Sequence, residues 1–304
     1  MIVNISICTC QRPRLLAIAI DSLLKMAYPE NTQVIISIVD NDPEKSAEPV
    51  VNRYLNLVDF LHYVSEPRRG IPVARNAAVA FAVSLNADYL VFIDDDEWVE
   101  KSWLIELFNY CQIKGGRSVI SGHVIADLPD NIPAHLAKLF NKKESVTGRT
   151  LKSCATNNVI IPMYLFSELG LTFDESHPFA GGEDILFFSE AVVKGVIIFK
   201  CSESVVHEHI PKSRISLKWL GQRKFQAGIT VAIQKISKGH PNYTVLMYAF
   251  FQVLFSGVGA LLFLLLNIKQ RRNNYYLKAC RSFGVASGAM GIRVNSYENI
   301  DNVL

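Results

Sequence analysis

The sequence lacks the glycine fingerprint of a dinucleotide-binding turn, and it lacks a P-loop. An anionic ligand would therefore have to be gripped by something other than glycine-loop amides. It also lacks a second close pair of cysteines. Cys8 and Cys10 share one expected strand, while Cys111, Cys154, Cys201 and Cys280 are scattered, so no zinc site can be completed. The six thiols read as reduced, in a cytosol-facing protein. Charge is sparse at 19% of residues, and a net +3 gives no footing for a nucleic-acid partner. Met1-Ile2-Val3-Asn4-Ile5 shows no basic leader of a signal peptide and runs straight into an expected strand. Internal repeats and low-complexity linkers are missing as well. What the chain has in quantity is apolar: half of its 304 residues are hydrophobic, enough for one large domain or two small ones. Acids concentrate in the first 200 residues, and Lys and Arg in 207–281.

The organising stretch is Tyr89-Leu90-Val91-Phe92-Ile93-Asp94-Asp95-Asp96-Glu97-Trp98. Its apolar run predicts a buried strand, and the strand ends in four acids. Carboxylates gathered at an apolar strand tip repel one another unless a cation sits among them. A hard divalent ion, Mg²⁺ or Mn²⁺, bridging a substrate diphosphate suits such oxygen ligands. Taken alone, the acids could equally form a solvated turn capping the helix that starts near Lys101.

Strands are expected at Ile2–Cys8, Val34–Val39 and Leu61–Val64. Helices are expected after Pro13, at Val50–Leu57 and after Pro72. This alternation predicts an α/β, Rossmann-like, mostly parallel sheet with helices on both faces. Each strand is followed by polar groups: Thr9 and Arg12, then Asp40 and Asp42, then Arg69-Gly70, then the acids. Loops converging beyond strand ends are how such sheets build a nucleotide pocket. Asp40 could accept hydrogen bonds from a base or ribose, or could close an Asx-type turn.

Further on, helices are expected at Ser102–Ile113 and Gly182–Lys194, and strands at Ser118–Val124, Asn158–Ile161 and Val196–Phe199, with a mobile loop over 126–150. Glu183 and Asp184 at a helix start also suit the helix dipole. His207 and His209 would share one strand face, offering imidazole to a metal or a diphosphate, or lying on the surface. Ser213–Ile236 reads as a long basic helix. Val245–Ile268 carries no charge, which is long enough to cross a bilayer, yet Ser256-Gly257-Val258-Gly259 interrupts it and basic residues flank both ends. A re-entrant or interfacial helical hairpin is expected, with a buried soluble hairpin as the alternative.

Several motifs then align in order: Ser6-Ile7-Cys8-Thr9-Cys10-Gln11-Arg12-Pro13, Val39-Asp40-Asn41, Arg69-Gly70 with Ala74-Arg75-Asn76, Phe92-Ile93-Asp94-Asp95-Asp96, and Gly182-Glu183-Asp184. Together they make residues 1–200 resemble a family 2 glycosyltransferase with the GT-A fold, similar to bacterial enzymes of the succinoglycan type. The resemblance implies a catalytic domain over 1–210 and an acceptor- and membrane-associated region over 211–304, at the cytoplasmic face of the cell membrane.

It also implies site roles. Thr9, Arg12, Asp40, Arg69, Arg75, Asn76, Asp94 and Asp95 would bind the donor, a nucleoside-diphosphate sugar and foremost a UDP-sugar. Arg75 and Asn76 would line or brace that pocket. Asp96, Asp94 and His209 would hold Mg²⁺ or Mn²⁺. Asp184, with Glu183 beside it, would be the base of an inverting transfer to a saccharide or lipid-linked acceptor. Gln222-Arg223 stands where processive members carry Gln-x-x-Arg-Trp, but Lys224, Phe225 and Gln226 break that motif and favour adding a single sugar. The rivals are a sugar nucleotidyltransferase, whose Gly-rich N-terminal loop Thr9–Arg12 does not supply, and a non-catalytic nucleotide-sugar-binding membrane scaffold, against which Asp184 argues.

Overall fold

The computed structural model describes residues 1–140 and 145–295. In chain order the elements are β1 (Ile2–Thr9), α1 (Pro13–Lys25), β2 (Gln33–Asp40), α2 (Glu48–Leu55), β3 (Leu61–Ser65), α3 (Ile71–Ser84), β4 (Tyr89–Asp94), β5 (Glu97–Val99), α4 (Trp103–Ile113), β6 (Val119–Asp127), α5 (Ala134–Phe140), β7 (Thr150–Leu151), β8 (Val159–Pro162), α6 (Tyr164–Ser167), α7 (Glu183–Val193), β9 (Ile198–His209), α8 (Leu217–Ser237), α9 (Asn242–Leu265) and α10 (Lys269–Ala289).

One sheet runs β3-β2-β1-β4-β8-β6-β9-β5, with β7 paired to β9. Its first four strands are all parallel. Beyond β4 the sheet is mixed: β8 is antiparallel to β4 and β6, β6 and β9 are parallel, and β5 and β7 are antiparallel to β9. Alternation along the strands feeds two cores. Val3, Ile5, Ile7, Val91 and Ile93 pack with α1, α2 and α4 on one face. Leu90 and Phe92 pack with α3 and α7 on the other. Burial on both faces explains why β4 reads as an unbroken apolar run.

Parallel register fixes the site. Thr9 pairs with Asp40, and Cys8 with Asp94, so the C-terminal ends of three adjacent strands lie in one row.

The structure differs from the expected pattern in three places. Residues 126–150 include helix α5 and strand β7, although 141–144 lie outside the described residues. The strand expected at Val196–Phe199 runs on to His209, because Cys201, Ser204 and Val206 keep it buried by turns. Helix α9 passes through Ser256–Gly259 without a break. Those small residues are a packing notch: Ser256 is fully buried, and a Cβ on Gly259 would lie 2.3 Å from the Tyr275 ring on α10. The turn of the hairpin falls later, at Asn267 with φ 54°.

Helix α10 lies between α8 and α9. A Cβ on Gly284 would sit 1.8 Å from the Phe225 carbonyl oxygen, and one on Gly228 would sit 2.0 Å from that of Arg281. These helices touch backbone to backbone. Helix α9 is left apolar and exposed; by length and composition it could cross a membrane. Gly284→Ala is expected to force α8 and α10 apart and lower stability by about 1–3 kcal/mol, the usual cost of overpacking, read from the denaturant midpoint at unchanged slope.

Candidate active site

The row of strand ends is closed by an acidic turn. The Asp94 N–H donates to Glu97 Oε2 at 2.9 Å, and Glu97 Oε1 accepts from Asn157 at 3.1 Å. Asp95 accepts from the Thr9 hydroxyl at 2.7 Å and from Arg12 Nη1 at 2.9 Å. Asp96 Oδ2 accepts from Arg12 and from Arg214, each at 3.3 Å. Arg214 comes from the short 3-10 turn Lys212–Arg214 that precedes α8, so the C-terminal region reaches into the site. Arg214 and Arg223 both lie against the Trp219 ring, at 5.7 and 5.6 Å.

Among the described residues no arginine or hydroxyl donates a hydrogen bond to the Asp94 carboxylate, and its carboxyl is pushed up to about 7. Burial is the main cause; Arg75 opposes it, while Asp96, Asp95 and Glu208 reinforce it. Glu97, only 1% exposed, is raised by burial and by Asp94. The charge of Arg75 acts on Glu183, Asp184 and Asp94 together. Arg223 likewise lies within reach of Glu208, Asp184 and Asp94. Asp184 therefore belongs to the same charged cluster as the acidic turn. Burial and the neighbouring Glu183 push Asp184 up to about 6, against the pull of Arg75.

Asp184 is held at the start of α7 by packing. Gly182 has φ 86°, and a Cβ there would lie 2.3 Å from Thr230 Oγ1 on α8, so only glycine fits. Gln226 donates to the Ala180 carbonyl at 2.5 Å, and Gln234 donates to Ser189 Oγ at 2.8 Å. Helix α8 thus clamps both flanks of the residue.

Several expected roles change. Asp40 is fully buried, and both its oxygens are taken: Oδ2 by Ala47 N–H and the Tyr63 hydroxyl, Oδ1 by Asp42 N–H. It closes a turn and does not offer an edge to a nucleobase. Asn41 does similar work, clasping the Glu66 and Arg68 carbonyls and the Gly70 N–H. Glu183 is corrected from base to positioning group, because it is buried in an ion pair with Arg75. Asn76 braces, bonding both the N–H and the carbonyl of Phe173 at 3.0 and 2.9 Å. Arg69 lies over the Phe179 ring at 5.7 Å.

His209 is tied to the acidic turn through its backbone, whose N–H donates to the Asp96 carbonyl. Among the described residues no three imidazole, thiol or carboxylate groups converge as a metal cage, so His209 does not join Asp94 and Asp96 around one point. His207 stacks on Trp98 and pairs with Glu100 at 3.1 Å.

Asp94 and Asp96 carry carboxylate oxygens that could serve a metal. That set fits Mg²⁺ or Mn²⁺ arriving with a diphosphate, since Mg²⁺ is usually held by one or two carboxylates and substrate phosphates. It does not fit an ion caged by protein alone.

Glu208 is a further member of the cluster that no motif announces. The signal was present: on a strand, His207 and His209 point one way and Glu208 the other. Glu208 stands opposite Glu97 across β5 and β9. Arg214 and Arg223 fall in the stretch expected as a long basic helix, and their guanidinium groups serve the acids.

A GT-A sheet with acids and arginines at its parallel strand ends is the scaffold of a glycosyltransferase. The chain belongs to glycosyl transferase family 2, whose family model matches residues 5–186. It is 30% identical over 300 residues to the succinoglycan biosynthesis protein ExoM of Rhizobium meliloti (strain 1021), covering 96% of this chain and 94% of that one. Among solved structures it is similar to S. aureus TarS 1–349 in complex with UDP-GlcNAc, with a TM-score of 0.56, 14% identity, and 96% and 92% of the two chains covered. A longer TarS structure matches with a TM-score of 0.55 and 13% identity over 92% of this chain, which spans only 55% of that one. At these identities the structural likeness speaks for the fold alone.

The electrostatics carry a stability signature. The Asp94 carboxyl sits at about 7 when folded, above its ordinary 3.8, so ionising it costs folding energy. That cost is complete above the folded value and gone below the ordinary one. Asp94→Asn is therefore expected to raise the melting temperature of the ligand-free protein at pH 8, with the gain fading as pH falls through 7 and vanishing near 3.8. Thermal melts across that range check it.

Proposed function

We propose that this protein is an inverting, metal-dependent glycosyltransferase. It moves one sugar from a nucleoside-diphosphate sugar, foremost a UDP-sugar, to a saccharide or lipid-linked saccharide in cell-surface polysaccharide synthesis. The observation that carries this reading is the placing of Asp184 in the charge network of the acidic turn, with its carboxyl raised to about 6. A carboxylate there is a stronger base than a free aspartate and still ionised at neutral pH. The succinoglycan relative supports the polysaccharide setting, and the UDP-GlcNAc complex of TarS supports the donor class.

In this reading the acceptor hydroxyl attacks the anomeric carbon from the side opposite the diphosphate. Asp184 takes its proton as the new bond forms, and Arg75 with Glu183 holds Asp184 in place. Arg12 and Arg214, now spread over Asp95 and Asp96, turn toward the phosphates and stabilise the charge that builds on the leaving group. Mg²⁺ or Mn²⁺ held by Asp94 and Asp96 would supply further neutralisation of the departing diphosphate. Residues 1–210 hold the donor and the base, Arg214 reaches into that site from beyond them, and the rest of 211–304 serves the acceptor. The exposed apolar face of α9, with Lys269, Arg271 and Arg272 at the hairpin turn, supports a seat on the cytoplasmic leaflet.

Calorimetry and transfer assays over a panel of nucleotide sugars test this. Asp96→Asn should weaken metal-dependent UDP binding. Asp184→Asn should spare that binding and lower transfer about 10²–10⁴-fold, the share usual for a general base. Parent-like transfer in both variants would remove the assignment. Because the base works ionised, the parent's rate should rise with pH through about 6 and level off above it.

A further inference from the structure

An open groove lies between the start of α8 and the α9–α10 hairpin. It encloses about 370 Å³ and is walled by Leu217, Ala260, Leu261 and Leu264. Its polar end is made by Arg272 and Asn273. Asn273 is 0% exposed, and its amide nitrogen has no hydrogen-bond partner among the described residues. Its amide oxygen accepts from the Arg272 guanidinium at 3.1 and 3.3 Å, fixing that cation at the cavity's edge. Among the described residues Arg272 pairs with no carboxylate. A buried N–H donor without an acceptor, beside a cation that pairs with no carboxylate, costs free energy unless an acceptor completes it.

We infer that this groove binds the acceptor's lipid: one long apolar chain lies along Leu217, Leu261 and Leu264, and its phosphate head meets Arg272 and the Asn273 amide. Three features select this occupant. The groove opens on α9, whose outer face is exposed and apolar, so a chain can enter from a bilayer without crossing water. Its volume is at the small end of the roughly 300–1,000 Å³ of ligand clefts, room for one chain segment and not for a protein element. And Leu217, in its wall, is three residues from Arg214, which binds Asp96, so a phosphate-linked sugar leaving the groove emerges beside the donor site. The inference rests on the reading of a lipid-linked acceptor.

The test uses the full chain in detergent micelles with farnesyl phosphate, farnesol and inorganic phosphate as probes, and UDP with Mg²⁺ as a separate report on the donor site. Arg272→Gln should weaken farnesyl phosphate binding tenfold or more while leaving farnesol binding unchanged. Ala260→Trp, which fills the groove, should abolish binding of both. UDP affinity should stay at the parent's value in each variant, so a failed groove and a failed donor reading give different patterns. If Ala260→Trp does not fold, the contrast between farnesyl phosphate and farnesol in Arg272→Gln decides. Farnesyl phosphate binding unmoved by Arg272→Gln would overturn the inference. So would inorganic phosphate binding as tightly as farnesyl phosphate, or phosphatidylglycerol vesicles displacing the probe as well as farnesyl phosphate itself.

Discussion

Like charges crowded into a dry place govern this molecule. Five acids (Asp94, Asp95, Asp96, Glu97 and Glu208) meet where the parallel strands end, with Asp184 joining from the far side. Left alone they would drive the strand ends apart. Arg12, Arg75 and the neighbouring pair Arg214 and Arg223 hold them, from three separate parts of the chain. The closing of the sheet, the seating of α3 against α7 and the docking of α8 are therefore one electrostatic problem solved together. Removing one of these arginines leaves buried acids uncompensated, which is far costlier than losing a surface pair.

This arrangement makes the site ready for an anionic donor. A diphosphate entering here finds cations already stripped of much of their water and needs only to take them over from the carboxylates. The exchange replaces one set of counter-ions with another, so little new desolvation is required when the ligand arrives. Asp94 fits the same logic. Arg75 is the cation that chiefly opposes its burial, so a divalent ion placed beside it would relieve an unfavourable charge.

Local patterning made the first half of the fold legible. The two-residue alternation of Val3, Ile5 and Ile7, the Pro13 and Pro72 helix starts and the apolar run of β4 are each set by neighbours in sequence. The acidic turn and Asp184 were legible because their spacing matched a known family. What escaped was set by distant partners. Ser256 and Gly259 look like a helix break until the Tyr275 ring is seen to need the space. Asp40 looks like a ligand group until Ala47 and Tyr63 are seen to occupy it. Arg214 and Arg223 look like a basic face because their partners are set by the fold: Asp96 lies 118 residues before Arg214, and Arg223 faces Glu208, Asp184 and Asp94.

Helix α8 acts as a ruler. Its first turn stands beside Arg214, and Thr230, further along, lies beneath Gly182. From Trp219 to Thr230 is about 16 Å of rigid helix at 1.5 Å per residue. Adding or removing one residue in that span would swing everything beyond it by about 100°. The glycine notch would then face a different side chain, and Gly228 would no longer meet α10. Length along this helix is thus a property the chain cannot vary freely, even where its individual side chains face solvent and could be exchanged.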